Sequence, residues 1–114
     1  MLVKLIFVPP GGGEAEYNLD FDLPSVPQPG DYISIMRPNQ KGAEDFIVRR
    51  TWWLLHHPEV PAVVSGDNTI RGSVREISVE CEFAKGAYSG EEHLRTCEGF
   101  AKSGNLKEFD ASAY

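Results

Sequence analysis

The chain has 114 residues, with 41% hydrophobic and 25% charged positions, which is the composition of one globular domain with a single modest core. Eleven Lys and Arg against seventeen Asp and Glu leave a formal charge of -6, so there is no basic stripe to neutralise phosphates and nucleic acid is not an expected partner. Two cysteines are too few for a disulfide-stapled scaffold, no stretch has the length of a membrane span, and the apolar run after Lys4 is too short for a secretion signal. These absences lead to a cytoplasmic chain with reduced thiols, no cofactor and no membrane partner.

In chain order, the first eight residues read as a central strand, with Val3, Leu5 and Phe7 on one face and Leu2, Ile6 and Val8 on the other. PPGGG breaks it. EYNLDFDL (residues 16–23) alternates, with Tyr17, Leu19, Phe21 and Leu23 inward, as a half-buried strand does. PSVPQPG is a rigid connection whose Pro29, Gly30 and Asp31 turn delivers a third strand, DYISIM. RPNQKGAED (37–45) is a polar loop, and FIVRRTWWLL (46–55) is a fourth strand ended by Pro58 and Pro61. AVVSGDNTIR has the form of a short hairpin turning at Ser65, Gly66, Asp67 and Asn68. VREISVECEF (74–83) is the clearest strand, with Ile77, Val79, Cys81 and Phe83 opposite Glu76, Ser78, Glu80 and Glu82.

The period then changes. Ser89 and Glu92 have capping-box spacing, Leu94, Cys97, Phe100 and Ala101 recur at helical intervals, and Gly104 makes a stop, which together predict a helix of roughly fourteen residues. In the tail, Leu106 and Phe109 are candidates to dock. The expected fold is α+β: a small antiparallel sheet of five or six strands, strongly twisted or curled into a half-barrel, with one C-terminal amphipathic helix packed on it. Residues 1–114 form one domain in this reading.

The stretch TWWLLHHPEV (51–60) concentrates the candidate contact residues. In a regular strand Trp52 shares a face with Phe46, Val48 and Leu54 and is the structural ring, while Trp53 shares the other face with Arg49 and Thr51 and is the contact ring. Arg49 is placed to pair across strands with the glutamate row. With His56 and His57 beyond the strand, and Tyr17 or Tyr32 contributing, these residues form an aromatic and acidic groove suited to a cationic or planar ligand, or to a protein partner. A sheet with apolar residues on both faces also predicts a homodimer.

Metal and nucleophile readings are weaker. His93 and Cys97 stand four apart on the helix with Cys81 on the sheet, a set that could hold zinc, but both cysteines occupy apolar-periodic positions where a thiol behaves as a small hydrophobe. No metal site and no catalytic residue is assigned, since no hydrolase or phosphate-binding motif is present. A small hydrolase or isomerase using a Glu–His pair in a sheet-end cleft, and an inhibitor or immunity-type protein with an acidic face, are the alternative functions. LPSVPQPGDYISI followed by FIVRRTWWLL resembles a pattern in uncharacterised small bacterial β-rich proteins of mobile elements, of the integron-cassette or phage type. The resemblance implies no activity and transfers no functional residue.

Overall fold

The computed structural model describes residues 1–59 and 70–109. Strands β1 (Leu2–Val8), β2 (Tyr17–Asp22), β3 (Tyr32–Met36), β4 (Ala43–His56) and β5 (Ser73–Lys85) precede helix α1 (Glu91–Phe100) and a short strand β6 (Lys107–Glu108). The sheet order is β2-β1-β5-β4-β3, with β6 added beside β5, and the sheet curls toward a half-barrel with one helix. The expected α+β architecture is therefore present, but the sheet is mixed. A meander joins β3, β4 and β5, and a hairpin joins β1 and β2, yet β1 runs parallel to β5 from Lys4 opposite Ser78 to Val8 opposite Glu82. The reason lies in β5: residues 81–84 are all buried, so this strand needs cover on both faces and both edges and takes the centre of the sheet.

Gly11, Gly12 and Gly13 turn β1 into β2 with φ values of 87°, 99° and 126°, a left-handed run open only to glycine. The β3–β4 turn is tighter than the sequence implies. β4 starts at Ala43, not Phe46, and the loop is shortened by Asn39 and Gly42 at φ 65° and 76°. A Cβ on Gly42 would stand 2.5 Å from the Gly90 Cα, so the backbones of this turn and of the helix entry touch directly. The predicted hairpin turn at Ser65 to Asn68 lies outside the described residues.

The core face gathers Val3, Leu5, Phe7, Phe46, Val48, Val79 and Phe83, with Tyr17, Leu19 and Phe21 of β2 packed at its margin. Phe7 and Phe46 have ring centroids 4.3 Å apart, and Phe46 meets Phe83 edge-on at 5.0 Å. Helix α1 closes this core with His93 and Cys97. Leu94, expected at the centre of the apolar stripe, is only half-buried, because the helix is rotated so that the His93 ring lies stacked over Phe83 with centroids 5.9 Å apart. Ser89 is not the helix cap. Gly90 holds that position without a side-chain bond, while the Ser89 hydroxyl donates to Asp45 Oδ2 at 2.6 Å and accepts from the Gly86 amide at 2.8 Å. The helix is ten residues long, followed by a 3-10 turn Ala101–Ser103 and then Gly104 at φ 74°, the expected stop.

Downstream, Leu106 packs against the core and Phe109 meets the Tyr32 ring edge-on at 5.4 Å, so both tail residues expected to dock do so. β6 continues the lane of β1, pairing in parallel with Ala84 and Lys85.

A bulge in β4 decides what the far end of the sheet presents. Val48 pairs with Cys81 and Arg50 with Glu80, so Arg49 is an extra residue. One inserted residue reverses the inside–outside phase of everything beyond it. Trp52 consequently leaves the face of Phe46 and Val48 and lies opposite Ser78 at 68% exposure, which overturns its expected structural role. Trp53 now pairs with Ile77 on the core side of the strand. The ladder of β3 ends at Ile47 and that of β1 begins at Ser78, so Trp53–His56 and Ser73–Ile77 continue alone. They make a two-stranded arm reaching roughly 15 Å past the sheet. The molecule measures 56 × 30 × 29 Å, and its radius of gyration of 18.0 Å exceeds the roughly 13 Å of a compact chain this long.

Candidate functional site

The arm carries most of the residues singled out from TWWLLHHPEV. Trp52 and Leu54 project from one of its faces and Trp53, Leu55 and Val74 from the other, as the pairing of Leu54 with Glu76 and of Leu55 with Val74 requires. Trp53 is 49% exposed and Leu55 64%. Large apolar side chains on both faces of a two-stranded ribbon have no layer beneath them to bury against, so they remain on the surface of the monomer. His56 follows on the exposed end of β4, opposite Ser73. His57 is engaged at both ring nitrogens by backbone: Nε2 lies 3.2 Å from the Ile70 carbonyl oxygen, and Nδ1 accepts from the Glu59 amide at 3.2 Å. With both nitrogens held, His57 is a clamp at the end of the arm and not a free general base.

Arg49 lies at the root of the arm. Its Nη1 is 2.9 Å from Glu82 and its Nε 3.6 Å from Glu80. Glu82 is fully buried and is met on its other oxygen by Lys107 of β6; Arg50 caps Glu80, and Lys4 lies 2.7 Å from Glu76. The cross-strand pairing expected between Arg49 and the glutamate row is thus present, and each of these three glutamates meets a cation. That pairing raises the Lys4 and Arg50 pKa values, first through hydrogen bonds to Glu76 and Glu80 and second through their charge. The glycine turn sits on this network: a Cβ at Gly12 would approach the Arg49 guanidinium to 3.1 Å. Tyr32, by contrast, lies against Phe109 near the tail and does not join the tryptophans.

Two concave surfaces flank these elements. A shallow recess of about 420 Å³ lies between Trp52, Ile6, Val8, Arg50 and Glu80 at the root of the arm. A larger groove of about 610 Å³ runs between the 39–44 turn and the first turns of α1, lined by Lys41, Glu44, Ser89, His93 and Arg95 among others. Beneath that groove is a polar cluster which the strand and helix periods conceal. Asp45 is 1% exposed and accepts hydrogen bonds from the hydroxyls of Ser34 and Ser89. His93 Nε2 lies 2.8 Å from the Ala84 carbonyl, 3.2 Å from the Asp45 amide nitrogen and 3.3 Å from Cys97 Sγ. One nitrogen serves either as donor to Ala84 or as acceptor from Asp45, according to tautomer; in both it ties α1 to the backbone of β4 and β5.

The His93 and Cys97 approach has the distance of a thiol–imidazole pair but not its chemistry. Cys97 is fully buried, and burial, reinforced by the nearby Asp45, pushes its thiol up to about 11 in spite of Lys85. Cys81 is also fully buried, and burial together with Glu80 pushes it up to about 12. Neither supplies a thiolate near neutral pH. Among the described residues no group of three or more His, Cys, Asp or Glu side chains converges to hold a metal, and no helix is long and apolar enough to cross a membrane.

The exposed apolar residues of the arm that sequence reasoning left out are Leu54, Leu55 and Val74. For the two leucines the signal was the apolar run after Arg50, which is longer than the sheet has neighbours to cover; Val74 follows only from its pairing with Leu55. In comparisons with known proteins, no family model, curated protein or solved structure matches the chain.

Proposed function

We propose that the chain is a binding module that acts through protein–protein contact and that its arm is the contact surface. One observation carries the reading: Trp53, Leu54 and Leu55 are exposed on a ribbon that the rest of the sheet does not cover, with Trp52 exposed at its root. Aromatic side chains on a protruding, neutral surface are the usual anchors of a protein interface, since each removes a large area from water when a partner closes over it. The buried thiols and the fully engaged His57 weigh against a catalytic role for the groups that first suggest one. The acidic-face alternative loses ground for a similar reason, because Glu76, Glu80 and Glu82 each carry a cation of this same chain.

A second reading has its own observation. The recess at Trp52 offers an aromatic wall beside Glu80, the arrangement expected for a planar cation. Glu80 is already bridged by Arg49 and Arg50, so a cationic ligand would have to displace an internal partner. That places it second.

Affinity capture tests the first reading. The parent chain and a Trp53→Ser/Leu55→Ser variant serve as immobilised baits against native extract and against an untagged copy of the chain. The expected result is a protein retained by the parent and lost from the variant. Identical retained sets would contradict the reading.

A further inference from the structure

Building on the arm as contact surface, we infer that its partner is a second copy of this chain, the two arms lying antiparallel about a two-fold axis. Three features of the arm point to this occupant. The first is area. Trp52, Trp53, Leu54, Leu55 and Val74 are 68%, 49%, 44%, 64% and 50% exposed. One contact buries one face of the ribbon, and the face of Trp53, Leu55 and Val74 offers on the order of 300 Å² per copy, against roughly 800 Å² per partner in an interface of standard size. Two arms in contact along that face supply the apolar centre of an interface, with the surrounding surface left to form its polar rim.

The second feature is self-complementarity. Among the described residues, the arm segment of β4 has no strand on the side where β3 ended, and that of β5 has none on the side where β1 would lie. Open edges on a ribbon with two apolar faces accept another ribbon of the same kind, and the same patch meets itself across a two-fold axis. The third feature is charge. The chain carries -6 overall, so two copies repel. Over the arm strands and the described residues at their far end, 53–59 and 70–77, Arg71 and Arg75 balance Glu59 and Glu76, and the net charge is zero with histidine neutral. The arm is therefore where two acidic copies approach without like-charge repulsion, whereas a strongly basic partner would be drawn to the acidic body.

Sedimentation equilibrium of the full chain from sub-micromolar to about 100 μM tests this, with twice the 12.7 kDa chain mass expected at the upper end and the single mass on dilution. Trp53→Ser/Leu55→Ser should hold the single mass throughout with an unchanged far-ultraviolet spectrum, and Trp52→Ser/Leu54→Ser reads the opposite face of the ribbon. Dilution of the parent gives the answer without any substitution, should a variant fold poorly. A parent that stays at the single mass at every concentration overturns the second copy as partner and leaves the arm to be judged by affinity capture. A double mass untouched by either pair of substitutions overturns the arm itself, and both readings with it.

Discussion

Replacing His93 with Ala removes the ring that fastens α1 to the sheet. That ring is buried, stacked on Phe83 at 5.9 Å and edge-on to Phe46 at 5.5 Å. Truncating a buried aromatic-sized side chain costs about 3 to 5 kcal/mol for the lost transfer energy and the cavity. The polar part adds less. With the ring gone, the Ala84 carbonyl keeps the weak Cys97 thiol at 3.7 Å and the Asp45 amide loses its contact to Nε2. A loss of about 3 to 5 kcal/mol is therefore expected. His93→Phe keeps the ring area and forfeits the backbone tie, which should cost about 1 to 3 kcal/mol. Leu94→Ala, on a half-buried position, should cost less than about 1.5 kcal/mol. Urea denaturation followed by circular dichroism gives these differences if the slope is unchanged and all variants are compared at one protein concentration. A larger loss for Leu94→Ala than for His93→Ala would mean that the helix faces the sheet with its apolar stripe, and the packing described here would be wrong.

The thiols provide a second check. Ellman's reagent should label neither Cys81 nor Cys97 in the native chain and both after denaturation. The unfolded thiols lose their protons near the ordinary 9.0, while the folded ones keep them to about 12 and about 11, so above pH 9 the folded state binds more protons and stability falls as pH rises. A Cys81→Ala/Cys97→Ala variant should show a shallower alkaline loss; a slope equal to the parent's would refute the burial argument. In the ion network, Arg49→Met strands the buried Glu82 carboxylate with Lys107 alone and should cost about 3 to 5 kcal/mol. Lys107→Met removes a half-exposed partner and should cost under about 1 kcal/mol, and equal losses in urea melts would contradict this ranking. Gly99→Ala, at a helical position with open space around the new Cβ, should stabilise by about 0.5 to 1 kcal/mol, and a destabilised melt would count against the helix boundaries.

The strands of this fold were legible because their signal is local. The alternation of Tyr17, Leu19 and Phe21, and of Ile77, Val79, Cys81 and Phe83, states which face is buried without reference to any neighbour. Topology is different: the parallel pairing of β1 with β5 joins segments more than seventy residues apart, and no turn chemistry records it. The Arg49 bulge was invisible for a related reason. Whether a residue counts in the alternation depends on its partner strand, and a single uncounted arginine sent Trp52 to the face assigned to Trp53. His93 reads from the sequence as a candidate zinc ligand because histidine is polar, yet its ring packs as an aromatic and its nitrogen meets backbone that only the fold brings near. Trp52, Trp53 and His56 were found together because adjacency in sequence keeps them together on any strand. Tyr32, which needed a tertiary approach to join them, does not make it.

The chain contains two tryptophans and both belong to β4 at the arm, so fluorescence excited selectively at tryptophan, which leaves the tyrosines dark, reports on the arm. Emission and acrylamide quenching of the parent, followed from high concentration down to the dilute monomer, test the central claim most directly. The account predicts water-like, red-shifted emission with efficient quenching in the dilute chain, and a blue shift with reduced quenching as copies associate. Blue-shifted emission that resists quenching at every concentration, monomer included, would mean that the tryptophans belong to the core of the single chain, and the arm would not be a contact surface.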